Sequence, residues 1–470
     1  MKEKFKSFVL IVLVILNLIL GSQVLSTKKL WSDDGYNFFI SLSNFKLSDI
    51  WDRITNSFKN NTLNESHLDA PELIIVNTGD QTTRRSFNAS DDEFMNLSEI
   101  SSAFLNDAFS GKKQYDKVST DEFYTALTAK SVYLRYPTEY DSSLFSYLLG
   151  TGDTAVADQI SSIRNIVIST NGYIYIEDSE SRDIFRYKSL LDTENLTLAI
   201  DECAENITGN APVINYAFDL GFDKAFATQK TVLSPMIPIY SESFSVETVY
   251  SENPLKSSGG INEATVSEIL PLFGMNPNSL RRYTEVDGTL VFVENSSTLK
   301  ISESGYLEYK ATTKEDGVSL RKNTSSKYDI VASLGSFVDN INLASGSNAT
   351  IKISSKLTAK ELDSGIFSVS LDYIVNGIPV VFKSNDVAIS MTVTDGRITE
   401  YRQHLMEFKK SGENSEVQNY ITALDEAIVK FENQINGIEI SGMDIAYETD
   451  GTFGELFPEW NVSIKEIVIG

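Results

Sequence analysis

The stretch Ile366–Phe382, IFSVSLDYIVNGIPVVF, decides the reading of the fold. Phe367, Val369, Leu371 and Tyr373 alternate with Ser368, Ser370 and Asp372, so apolar side chains fall on one side of an extended strand. That alternation predicts a sheet with one covered face. Asn376-Gly377 predicts a two-residue turn, because both residues tolerate the positive φ of a tight hairpin, and Ile378–Phe382 returns as the second strand. Downstream, Val387–Thr394 and Ile398–Tyr401 flank a further turn at Asp395-Gly396. Upstream, apolar residues at helical spacing predict a helix over Ile330–Ile341.

The same order, a helix and then strands joined by tight turns, occurs on either side. A helix near Thr265–Phe273 precedes strands around Asp287-Gly288 and Ser304-Gly305, and a helix over Val417–Phe431 precedes strands near Ile438–Tyr447 and Trp460–Ile469. Repetition of one structural unit and independent use of a common arrangement both give this pattern, and no sequence repeat accompanies it. Either way the predicted class is α+β, antiparallel sheets with helices packed on them. Nearer the amino terminus the strand signals are Glu72–Val76, Val132–Tyr136 stopped by Pro137, and Ile163–Ser169 with Tyr173–Ile176 around Asn171-Gly172. Phe94, Leu97, Ile100, Phe104, Leu105 and Ala108 have helical spacing.

Composition narrows the function. The chain has 470 residues, 41% hydrophobic, with 40 Lys and Arg against 65 Asp and Glu, a formal charge of −25. Such a chain buries real cores, and its acidity argues against nucleic acid, whose binders present clustered cations. Cys203 is the one cysteine, so no internal disulfide forms.

Lys2, Lys4 and Lys6 precede an apolar stretch from Phe8 to Leu25, 18 residues interrupted at Asn17. As a helix it spans roughly 27 Å, close to a hydrocarbon core of ~30 Å. The alternative is a cleaved signal peptide, but Gly21 is followed at the required offset by Gln23, not a small residue. The segment is read as an uncleaved single-pass anchor, its amino terminus cytoplasmic and the bulk of the chain extracytoplasmic. Export without disulfides points to a Gram-positive bacterium. Within the anchor Leu10, Val14, Asn17 and Gly21 share one helix face, where a small residue allows close approach and an Asn amide favours an interhelical hydrogen bond. That face is the candidate contact for a partner helix. The alternative is that Asn17 lies shallow enough to meet water.

The expected organisation is a cytoplasmic tail at 1–6, the anchor at 7–25, a juxtamembrane spacer at 26–69, and α+β domains at 70–254, 255–345 and 346–470.

Catalytic motifs are missing. There is no Gly-x-Ser-x-Gly elbow, no phosphate-binding loop and, with only His67 and His404, no His-Glu-x-x-His zinc site. His404 reads as a surface or packing residue, and Cys203, flanked by Glu202 and Glu205, lacks the cationic neighbours that activate a thiol. Asp91-Asp92-Glu93 and Glu177-Asp178-Ser179-Glu180 keep a carboxylate-dependent hydrolase open, although acidic clusters are usually solvated faces. No catalytic, cofactor or metal residues are assigned.

Several segments together resemble one family. They are Met1–Ser7 leading into the anchor, Lys130–Pro137 (KSVYLRYP), Ile163–Ile168 (IRNIVI), Tyr283–Tyr309, Tyr373–Val380 (YIVNGIPV), and Ala446-Tyr447 followed by Phe457–Val462 (FPEWNV). In this order the chain resembles the YycH (WalH) family, accessory regulators of the WalK–WalR two-component system. The resemblance covers nearly the whole chain beyond the spacer, and 180–235 departs from it. It implies extracytoplasmic domains, a C-terminal part like that of YycI (WalI), and no catalytic residues or cofactor. It also implies association with YycI and a WalK-type sensor histidine kinase, partly through membrane helices. Two other readings stay open: an anchored module that binds a wall polymer or peptide, and a wall-processing enzyme.

Overall fold

Leu73–Val76 is apolar at every position, which suits a strand covered on both faces, and the computed structural model places it in such a sheet. The structure describes residues 70–80, 84–152, 155–205, 214–221, 231–240, 244–257, 260–294, 296–320, 326–383, 386–431 and 437–467. The anchor segment 7–25, with Leu10, Val14, Asn17 and Gly21, lies outside the described residues, as do the tail and the spacer. Among the described residues no helix is long and apolar enough to cross a membrane.

The first sheet has seven strands: β1 (Leu73–Thr78), β2 (Arg85–Phe87), β3 (Asp116–Val118), β4 (Lys130–Asp141), β5 (Ser162–Ser169), β6 (Tyr173–Asp178) and β7 (Ile184–Lys188). All pair antiparallel, in the order β2-β1-β4-β5-β6-β7-β3. Helices α1 (Asp92–Phe109), α2 (Thr120–Thr128), α3 (Ser142–Leu148) and α4 (Glu194–Glu205) belong to this half. Strand periodicity divides the apolar run between two cores. Ile74, Val76, Val132, Leu134, Ile166 and Ile168 face Phe94, Phe104, Leu105, Leu196 and Ile200 of α1 and α4. Leu73, Ile75, Tyr133 and Val167 face Phe123 and Leu127 of α2.

Pro137 does not stop its strand. β4 continues to Asp141, and the register with β5 shifts between Arg135 and Tyr140, an irregularity that accommodates a residue without an N–H. Asp141 then caps α3, its carboxylate accepting from Ser143 and Leu144 N–H groups at 3.0 and 3.1 Å.

The larger sheet has thirteen strands. The deciding hairpin is found as read: Ile366–Val375 pairs antiparallel with Ile378–Phe382, and Phe367, Val369, Leu371 and Tyr373 are buried while Ile366 and Ser368 are exposed. Asn376 and Gly377 have φ of 50° and 75°, and Asp395 and Gly396 have 52° and 75°, the primed turns that their sequences predict. Helices α5 (Glu263–Ile269), α6 (Lys327–Ser345), α7 (Ala359–Ser364) and α8 (Tyr420–Phe431) lie in this half. Ser326 and Asp329 form a capping box on α6, and Gly346 ends it with φ 79°. Its Leu334, Phe337, Val338 and Ile341 share one core with the buried face of the hairpin.

Mixed α+β architecture with antiparallel sheets is therefore what the chain adopts. Among the described residues two strand pairings of this sheet are parallel, Ile378–Phe382 and Thr231–Leu233, each against Gly437–Thr449. Strands from before position 254, between 255 and 345, and after 346 all join this sheet, and the described residues belong to one compact unit.

Candidate functional site

Arg135 is a charge inside the apolar run Val132–Tyr136, so β4 must provide it with partners or exclude it. Its Nε lies 2.8 Å from Glu72 Oε1, an ion pair whose N–H is not aligned for a hydrogen bond. Its terminal nitrogen donates to Asp444 Oδ1 of the larger sheet. Burial alone works against the charged guanidinium, but the Asp444 and Glu72 carboxylates outweigh it and hold Arg135 firmly protonated. Arg164 lies 3.6 Å from the same Glu72 oxygen and donates through Nε to the Tyr136 carbonyl at 3.1 Å.

Two further ion pairs cross the junction between the sheets: Arg182 to Glu439 at 3.0 Å and Lys356 to Glu139 at 2.9 Å. Beside them Asn165 donates to Glu177 at 2.7 Å and accepts from the Tyr133 hydroxyl at 2.8 Å. Burial raises the Glu177 carboxyl above its ordinary pKa, against the lowering pull of Asn165 and Arg182.

Between the sheets lies a cleft of about 220 Å3 whose lining includes Glu72, Arg135, Arg164, Tyr240, Asp372 and Asp444. Asp372 comes from the polar side of the strand that decided the fold, opposite Lys352 in register. The Lys352 ammonium turns instead to the Pro71 and Ala70 carbonyls, at 2.6 and 3.2 Å. Asp372 keeps the Ser354 hydroxyl, and burial, aided by the nearby Glu72, pushes its carboxyl up to about 6. At one end the cleft is narrowed by the Asn376-Gly377 turn against Asn88: a Cβ on Gly377 would collide with the Asn88 side chain.

The other sequence candidates have structural roles. Asp91 accepts from the Asn88 N–H at 2.7 Å, and Asp178 accepts from the N–H groups of Ser161, Ser162 and Glu180 at 3.1–3.3 Å. His404 packs between the rings of Tyr306 and Phe382, each 4.8 Å away, with Nε2 3.1 Å from Asp386. Cys203 is buried, and burial with Glu93 and Glu202 nearby pushes its thiol up to about 11, away from a reactive thiolate. Among the described residues no cluster of three or more His, Cys, Asp or Glu could hold a metal ion. No sequence motif marks the cleft residues as a site; the one local signal is a charge, Arg135, in an otherwise apolar strand.

These features define a class, an α+β protein whose two large, mainly antiparallel sheets are joined by the largely buried Arg135 pair and by two more exposed ion pairs. The fold is YycH-like. It is similar to the crystal structure of YycH from Bacillus subtilis, with a TM-score of 0.53 and 12% sequence identity, over 87% of this chain and 98% of that one. No family model matches the sequence, and no curated protein matches it.

Proposed function

We propose that the chain is a non-enzymatic, membrane-anchored regulator of a WalK-type sensor histidine kinase, acting with a YycI-type partner outside the cytoplasm. The observation that carries this reading is the YycH-like fold over 87% of the chain. Two sequence features support it: the apolar segment 7–25, and the likeness of Lys130–Pro137 and Tyr373–Val380 to the family. In the fold those two segments meet at the cleft, which Arg135, Pro137, Ile374, Gly377, Ile378 and Pro379 help to line.

A regulator of this kind changes kinase output only by binding the active and inactive states unequally. A bias of ~1–3 kcal/mol is an ordinary allosteric coupling. In this reading the Leu10, Val14, Asn17 and Gly21 face meets a partner's transmembrane helix, and the two-sheet body contacts the partner's outer domain. The C-terminal part, 346–470, is in this reading a YycI-like domain.

Affinity capture of the full-length protein from its native membrane tests the proposal. A histidine kinase and a YycI-type protein should come with it, and the double variant Asn17→Leu, Gly21→Leu should reduce their recovery. Capture of neither protein, or the mature chain found free in the medium, rejects the reading.

A further inference from the structure

A second hollow adjoins the polar cleft. It is a groove of about 430 Å3 between α1 and the strand Thr350–Ile353, with Phe94, Leu105, Ile351 and Ile374 among its lining. Ala89, Lys352, Ile374 and Gly377 line both hollows, so the two form one trough past the Asn88–Gly377 contact.

The apolar arm contains polar atoms that the fold leaves unsatisfied. Ser101 is 1% exposed and lines the groove, and its hydroxyl has no hydrogen-bond partner among the described residues. Asn376 Nδ2, beside the Tyr447 hydroxyl, has no acceptor in hydrogen-bonding geometry among them either. A buried group left without a partner is costly, because it gives up its hydrogen bond to water and gains nothing in return. A hydrocarbon chain leaves both unmet, whereas a peptide brings carbonyls and N–H groups beside its apolar side chains.

In the polar arm the carboxylate of Asp372 has the Ser354 hydroxyl beside it and another carboxylate, Glu72, nearby. No cation of the described residues pairs with it, because Lys352, opposite in register, is turned to backbone carbonyls. On a chain of formal charge −25 the complementary ligand is cationic.

We propose that this trough binds an extended peptide segment bearing a basic side chain, its apolar residues along α1 and its cationic group at Asp372. The inference goes beyond the regulatory reading and does not depend on it, since binding by the purified protein needs no kinase.

The test is fluorescence polarisation with the full-length chain in lipid nanodiscs. Two labelled hexapeptides of leucine and serine are compared, differing only in one lysine-for-glutamate exchange. The lysine peptide should bind at least ten-fold more tightly, Asp372→Asn should bring that ratio close to one, and Ser98→Trp, which fills the groove, should abolish binding of both. Equal binding of the two peptides, or none, overturns the proposal. So does a lysine preference that survives Asp372→Asn, or binding unaffected by Ser98→Trp. Displacement of the lysine peptide by dodecylamine as effectively as by unlabelled peptide reassigns the trough to amphiphiles, which also overturns it.

Discussion

Arg135 donates to Asp444, 309 positions further along the chain, and this contact joins an interior strand of one sheet to the C-terminal hairpin of the other. Removing the guanidinium strands Glu72 and Asp444 in a poorly solvated cleft. Arg135→Ala should therefore cost about 3–5 kcal/mol in urea unfolding. Arg135→Lys should recover part of that, since an ammonium cannot serve both carboxylates with the geometry of a fork. A loss under about 1 kcal/mol would mean that solvent screens the pair.

Asp372 makes stability depend on pH in the direction opposite to most paired acids. Its folded pKa, about 6, lies above the ordinary 3.8, so the folded state holds this proton more tightly than the unfolded one. The resulting penalty is absent below the unfolded value, grows through pH 4–6 and is complete above about 6. Allowing for partial solvent access, Asp372→Asn should stabilise the protein by about 1–3 kcal/mol at pH 7.5 and by almost nothing at pH 3.5. Denaturation curves at the two pH values check it, and equal gains at both would refute the assignment.

Gly377 is constrained twice, by φ of 75° and by the approach of Asn88. Gly377→Ala should cost more than the ~1–2 kcal/mol of a left-handed alanine. In an Asn88→Gly background, which removes the facing side chain, the cost should fall to that backbone value. An undiminished cost would place the clash elsewhere.

Cys203 gives a probe of the core. With its thiol held near 11 and its side chain buried, alkylation by iodoacetamide at pH 8 should be slower than in urea by roughly a hundred-fold or more. Comparable rates in both states would show that α4 opens readily.

Local rules carried much of the fold into view. The alternation at Phe367–Tyr373 and the turns Asn376-Gly377 and Asp395-Gly396 depend on side-chain period and positive φ, both of which reside in a few adjacent residues. Where strands are covered on both faces the period carries no direction, so Leu73–Val76 reads as a strand without revealing which residue meets α1 and which α2. The parallel pairing of Thr231–Leu233 with Gly437–Thr449 joins segments more than two hundred residues apart, and three-residue strands leave little pattern. In 180–235, α4 has an amphipathic face, Leu196, Ala199, Ile200 and Cys203, that is short and diluted by Thr, Asp and Glu. The cleft was least legible. Arg135 is locally conspicuous, but Glu72, Asp372 and Asp444 are ordinary acidic residues until the chain folds around them.

The apolar interior is continuous from Ile74 and Leu134 of the first sheet to Leu371 of the second and Leu334 of α6. Neither half therefore owns a complete set of inner walls. Cutting the gene near codon 254 or 345 would yield sticky fragments rather than working modules, and heating the intact body should give one calorimetric peak.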